Sequence, residues 1–287
     1  MLGRREFLFS MAAAAASQPW GCPVLDIHLH PRRGSDREMD HLTGAGITRA
    51  VLLPGAGTEE RAKGLVDSDG GHFARFTNAD VRQDTAVGQM RNALQHGAIG
   101  MGELKYPVEI DGPEMRRVYE LAAELQAPVL MHYQEGAFNS GIRRLPTMLK
   151  AYPKTVFIAH ANSWWANISA EVNDRVDYPT GPIKPGGLTD KLLSDYPNIY
   201  GDLSANSGRN ALARDPEYAA AFLERHRAKL MFGSDCPCKD GHGAGQVGPV
   251  GNKCMARETL TMMKKYVSPD VFRQIAWENG NRLLRLS

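Results

Sequence analysis

Five short apolar stretches of this chain each run into a residue that binds metals or moves protons. Val24-Leu25-Asp26-Ile27 leads to His28 and His30, and Ile99-Gly100-Met101-Gly102 leads to Glu103. Pro128-Val129-Leu130-Met131 leads to His132, Val156-Phe157-Ile158-Ala159 to His160, and Leu230-Met231-Phe232-Gly233-Ser234 to Asp235. One strand with such an end is ordinary. Five of them require a fold that brings the C-terminal ends of parallel strands to one place, and the rim of a parallel β-barrel does so.

The rest of the sequence is compatible with that demand. Apolar runs predict strands over residues 24–30, 47–53, 73–77, 99–103, 128–132, 156–160, 198–203 and 229–233. Helical patterns fall between them, at 36–43, 58–66, 84–95, 113–125, 142–151, from 188 onward, and at 217–225. The clearest is 113–125, where Pro113 suits a first turn and Met115, Val118, Ala122 and Leu125 share a face. Two helices finish the chain, the last with Ser268 as N-cap ahead of Pro269. Eight alternations predict a single (β/α)8 TIM barrel, class α/β. A doubly wound sheet would carry a glycine-rich phosphate turn after its first strand, where this chain has His28-Leu29-His30-Pro31-Arg32-Arg33.

Two features lie outside the repeat. Gly3-Arg4-Arg5-Glu6-Phe7-Leu8 precedes an alanine-rich apolar run, which predicts a signal peptide over residues 1–16 of the twin-arginine type and a mature barrel over 17–287. The expected location is therefore periplasmic or secreted, with no stable membrane anchor. In an oxidising compartment a disulfide between Cys254 and either Cys236 or Cys238 is the expected pairing. The Cys236-x-Cys238 spacing also suggests zinc, but no two further ligands stand at matching spacing. A net charge of +2 with Lys and Arg scattered argues against nucleic acid and favours a small-molecule substrate. A homodimer stays open.

Residues two apart on a strand share a side, so His28 and His30 point together. Imidazole and carboxylate donors favour zinc, manganese or iron over the oxygen-only sites of calcium and magnesium. A divalent cation, zinc first, is the expected cofactor. His41, His72, His96 and His226 read as surface residues. His242, on the glycine-rich stretch 240–245 after the last strand, borders the expected mouth.

The pattern His-x-His, then His, His and Asp at strand ends resembles the amidohydrolase superfamily. More narrowly it is similar to the amidohydrolase-related group, which holds hydrolases and non-oxidative decarboxylases of aromatic acids. Phe232-Gly233-Ser234-Asp235 and Trp277-Glu278-Asn279-Gly280-Asn281-Arg282 are similar to that group as well. The resemblance implies His28, His30 and His132 as metal ligands, with Asp235 as ligand or proton acceptor. It implies Glu103 as the ligand from the fourth strand, or else a carboxylated Lys105; a structural ion pair is the alternative for Glu103. His160 either completes a second metal site with His132 or acts as catalytic acid or base.

The expected reaction is hydrolysis of a small amide, ester or lactone by activated water, with Asp235 as proton carrier. The alternatives are decarboxylation of an aromatic or unsaturated acid and non-catalytic ligand binding by an exported barrel. Substrate contacts are expected from Asn162, Trp164, Trp165, Arg175 and Tyr178 in the long connection 161–187, from Arg209 as a carboxylate clamp, and from His242. The paired tryptophans either stack on a substrate or simply pack the loop.

Overall fold

The computed structural model describes residues 18–32, 34, 36–173, 176–246 and 250–286. The predicted signal peptide and Arg175 lie outside the described residues. Among the described residues there are eight parallel strands: β1 (Leu25–Leu29), β2 (Arg49–Leu52), β3 (Phe73–Arg75), β4 (Met101–Leu104), β5 (Val129–His132), β6 (Phe157–His160), β7 (Ile199–Asp202) and β8 (Leu230–Met231). They pair in sequence order as two arcs, β1-β2-β3 and β4-β5-β6-β7-β8. Backbone hydrogen bonds cross both seams. Thr77 donates to Gly100 at 2.9 Å beside β4, and Ile27 donates to Phe232 at 3.1 Å between β1 and the end of β8.

The helices are α1 (Glu38–Ala45), α2 (Glu59–Ser68), α3 (Ala86–Gln95), α4 (Pro113–Leu125), α5 (Leu145–Ala151), α6 (Asn162–Ala166), α7 (Leu188–Asp195), α8 (Ala205–Ala213), α9 (Pro216–Arg225), α10 (Met255–Tyr266), α11 (Pro269–Arg273) and α12 (Asn279–Leu284). A π-helical turn, Gln274–Glu278, joins the last two. The sequence pattern did not anticipate α6 or α8. Both start within three residues of a strand end, behind N-caps Ala161 and Ser204, and turn the chain directly into a helix at the barrel mouth. None of the described helices is long and apolar enough to cross a membrane.

Two apolar layers form. Outward strand residues such as Val129, Met131, Phe157 and Ala159 pack against the helices in one large cluster. A smaller cluster holds Leu25, Ile27, Val51, Phe76, Leu130, Ile158 and Met231, with Leu284 of α12 beneath it. Leu130 and Ile158 lie two residues before His132 and His160, so strand alternation carries both histidines to the same inner face, one layer higher.

In β1 and β4 the alternation is interrupted. Pairing shifts register between Asp26 and Leu29 in β1, and between Met101 and Leu104 in β4. These irregularities bracket His28 and Glu103. A bulge re-aims the side chain it carries, and here it does so where the mouth begins.

Candidate active site

Glu103 is the hub of the mouth. Its Oε1 lies 2.5 Å from His132 Nδ1 and 3.4 Å from His160 Nε2, and its Oε2 lies 3.4 Å from His30 Nε2 and 3.9 Å from His28 Nε2. Asp235 closes the ring, with Oδ1 3.4 Å from His30 Nε2 and Oδ2 4.0 Å from His160 Nε2. All six strand-end residues singled out in the sequence therefore meet in one cluster. Each oxygen of Glu103 faces one pair of histidines.

The ring orientations follow from hydrogen-bond accounting. The Ser204 hydroxyl donates to Asp202 Oδ2 at 2.7 Å, so its contact with His160 Nδ1, also 2.7 Å, must be one in which the imidazole N–H donates. His28 Nδ1 donates to Asp202 Oδ2 at 2.6 Å, and His30 Nδ1 donates to the Leu53 carbonyl at 2.8 Å. All three rings thus present Nε2 to the centre, and for His28 that atom is buried with no partner. An outer acceptor on one ring nitrogen and a bare second nitrogen is how metal-ligating histidines are held.

Asp202, Ser204 and Asp26 were missed by the sequence reading. Asp202 ends Ile199-Tyr200-Gly201, the same apolar-strand-then-carboxylate pattern, and could have been found that way. Asp26 accepts from Ser234 Oγ at 2.5 Å, from Ser234 N at 2.8 Å and from His28 N at 2.9 Å, pinning β1 to the end of β8. Burial pushes its carboxyl up to about 6. Gly233 makes room for this packing. A Cβ there would lie 2.3 Å from Asp202 Oδ1 and 2.8 Å from the His28 Cβ, closer than atoms can approach.

The electrostatics call for a cation. Burial alone would keep His28 neutral, but Asp202, then Asp235 and Glu103, push its pKa up to about 10. Burial likewise opposes charge on Glu103, yet His132, His160 and His30 hold it well below the usual carboxylate range. Three carboxylates converge here with no Lys or Arg ion-paired to any of them among the described residues. Buried anions need compensation, which a divalent ion would supply. His28, His30 and Glu103 form one compact donor group; Glu103, His132 and His160 form another.

The expected substrate contacts fare differently. Trp164 and Trp165 are 0% and 2% exposed. Trp165 Nε1 donates to the Asp202 carbonyl at 3.0 Å and its ring stands against Phe222. Burial decides for packing, because neither ring has a face left for a substrate. Asn162 opens α6, and Arg209 lies on α8 with its Nε buried and unpartnered. His242 is exposed on its loop. Lys105 is exposed, its Nζ 5.2 Å above the Phe138 ring, while Glu103 occupies the cluster. His41 and His226 are buried rather than superficial; His226 is held by Asp190.

A cleft of about 230 Å³ opens beside the cluster, lined by His30, Arg32, Asp36 and Asp235 among others. Arg32, also unforeseen, is 7% exposed, and its Nε and Nη2 are buried without an acceptor. Glu38 accepts the Arg32 backbone N–H but pairs its charge with Arg61 at 2.9 Å.

A family model described as amidohydrolase matches residues 25–286. The chain belongs to the amidohydrolase family. No curated protein sequence matches it. Among solved structures, an uncharacterised TIM-barrel protein from Bordetella bronchiseptica superposes with a TM-score of 0.62 at 14% identity, covering 92% of this chain and 99% of that one. A probable 2-pyrone-4,6-dicarboxylic acid hydrolase from Acinetobacter baumannii gives 0.59 at 14%, covering 92% and 100%. The 2,6-dihydroxybenzoate decarboxylase from Rhizobium gives 0.56 at 13%, covering 92% and 99%. At these identities the likeness establishes the barrel. It leaves the reaction of this amidohydrolase open between hydrolysis and decarboxylation.

Proposed function

We propose that this amidohydrolase is a metal-dependent hydrolase of a small, carboxylate-bearing lactone, ester or amide. The observation that carries the reading is the partition of Glu103 between two histidine pairs, with Asp235 set between His30 and His160 at the open side. His28, His30, Asp235 and one Glu103 oxygen would hold one divalent ion, zinc first; His132, His160 and the other oxygen form a donor group for a second. A divalent ion here supplies Lewis acidity, which brings the pKa of water to about 7 and polarises a carbonyl oxygen.

The chain's own groups do the rest. Asp235, with 29% of its side chain exposed, takes the proton of the attacking water and returns it to the leaving group. Asp202 and Ser204 hold His28 and His160 in the tautomers that keep Nε2 bare. Arg32 lines the cleft, and its guanidinium, with two donors still lacking an acceptor, would turn to a substrate carboxylate, for which its geometry is suited. Both the hydrolase and the decarboxylase neighbours are named for carboxylic acids, in keeping with such a clamp.

Decarboxylation is the second reading, favoured by the same arginine. The deciding assay incubates the metal-loaded protein with carboxylated lactones and esters and, separately, with hydroxybenzoates. Ring opening or acid release is expected; carbon dioxide release without hydrolysis overturns the hydrolase. The Arg4-Arg5 pattern supports export by the twin-arginine route, which periplasmic fractionation of the full chain tests.

A further inference from the structure

A second cluster of ligand-type side chains lies outside the site just described. His41 on α1, Cys236 and Cys238 after β8, and Cys254 at the N-cap of α10 offer donor atoms that all lie within 4.8 Å of one another. All four residues are buried, His41 and Cys238 at 0% exposure. The three sulfurs are free thiols, which removes the expected disulfide: Cys236 Sγ and Cys254 Sγ are 3.7 Å apart, against about 2.05 Å for a bonded pair.

The spacing matches a different chemistry. With Zn–S near 2.3 Å and Zn–N near 2.0–2.1 Å, a tetrahedron sets two sulfurs about 3.8 Å apart and a sulfur and a nitrogen about 3.6 Å apart. Here Cys236 and Cys254 stand at 3.7 Å, and Cys238 Sγ stands 3.4 Å from His41 Nδ1. We propose that His41, Cys236, Cys238 and Cys254 form a closed Cys3His site for a structural zinc ion, separate from the cations of the barrel mouth.

The surroundings are close-packed, and backbone hydrogen bonding from Gly241 and Gly243 favours thiolate at Cys238. The backbones that carry the ligands are in van der Waals contact. A Cβ at Gly241, whose φ is +71°, would fall 2.2 Å from Ala45 N, and one at Gly44 would fall 1.8 Å from the Asp240 carbonyl oxygen. Arg257 Nη1 donates to the Gly44 carbonyl at 2.8 Å, drawing α10 to the same place. On binding, three thiol protons pass to solvent and His41 ligates as neutral imidazole.

The consequence is positional. Cys236 follows Asp235, so the ion would fasten the β8 loop to α1 directly beside the residue proposed to carry the proton. The site does not depend on the functional reading above.

Zinc K-edge absorption of protein purified from zinc-supplemented cells is the test. The mouth offers only nitrogen and oxygen, so a sulfur shell near 2.3 Å can come only from the cysteine cluster. The shell is expected in the wild type and in Cys22→Ser, and its loss is expected in Cys238→Ser, with one zinc per chain lost. If Cys238→Ser does not fold, the wild type still decides. There, cobalt substitution should give a sulfur-to-metal charge-transfer band, and a thiol-selective mercurial should release zinc. Absence of any sulfur shell, or a Cys236–Cys254 disulfide found by mass spectrometry in protein whose mouth holds metal, overturns the proposal. An intact sulfur shell in protein with no mouth metal would instead sink the functional reading and leave this one standing.

Discussion

The two clusters sit side by side at one end of the barrel and are built on opposite plans. The mouth gathers imidazoles and carboxylates from the ends of five strands, and three of its histidines are aimed by a group behind them. Asp202 and Ser204 stand behind His28 and His160, and the Leu53 carbonyl behind His30. It is open to a cleft. The Cys3His cluster takes its ligands from a helix, a loop and a helix cap and is closed by the backbone of Gly241 and Gly243. An open site with hard donors suits a cation that must meet substrate; a closed, sulfur-rich one suits an ion that only holds the chain. If this contrast is right, substitutions at the mouth should change turnover and leave sulfur-bound zinc in place.

Asp235→Asn is the strongest test of that division. It keeps the size of the side chain and removes the proton acceptor, so kcat should fall by about 10²–10⁴-fold. The sulfur shell should persist. Loss of sulfur-bound zinc in this variant would show that the two clusters are one structural unit and break the comparison.

Arg32→Ala probes the cleft between them. Removing a charged donor from a bound carboxylate costs about 1.5–3 kcal/mol, roughly a 10- to 150-fold effect. It should appear as a raised KM with kcat little changed, since the contact is made equally in ground and transition states. A fall in kcat alone would move Arg32 into the reaction and strengthen decarboxylation. Neither class of metal should be lost.

The contrast also explains what the sequence could reveal. His28, His30, Glu103, His132, His160 and Asp235 were legible because a barrel converts a repeated local motif into one place, and each motif fits within a few residues. Trp164 and Trp165 were ambiguous because their neighbours, Phe222 and the Asp202 carbonyl, belong to distant segments. α6 and α8 were hidden for a related reason: each is short, and its start is dictated by the mouth it must leave. His41 read as a surface residue because α1 alone shows nothing to bury it. Its partners stand about two hundred positions on, and the glycine contacts between α1 and the β8 loop, with the Arg257–Gly44 hydrogen bond, bring them together. Pairing within an element is local information, whereas closure across the barrel is not.

The supporting layer of the mouth should show intermediate effects. Asp202→Asn leaves His28 with a neutral, weaker acceptor, and replacing such outer partners costs about 10–100-fold in metal affinity or activity. Metal titration should show weakened binding at the mouth, while the zinc resistant to nitrogen and oxygen chelation through its thiolates should be unaltered. Retained affinity at the mouth would mean that Asp202 serves the fold rather than the ligand.

Ser204→Ala should give the smallest effect and the sharpest assignment. The hydroxyl links His160 to Asp202, and its loss removes one net hydrogen bond of about 0.5–1.5 kcal/mol on each side. Without that acceptor, His160 is free to carry its proton on Nε2, the nitrogen that faces Glu103 and Asp235. If His160 ligates a second ion, the stoichiometry at the mouth should drop from two equivalents toward one at limiting metal, because a protonated Nε2 cannot donate to a cation. If His160 is instead an acid or base beside a single ion, the stoichiometry stays at one and the pH profile of kcat moves. Nitrogen- and oxygen-bound metal counted against sulfur-bound zinc in one sample separates these outcomes, since the cysteine cluster provides an internal reference that neither version of His160 should disturb.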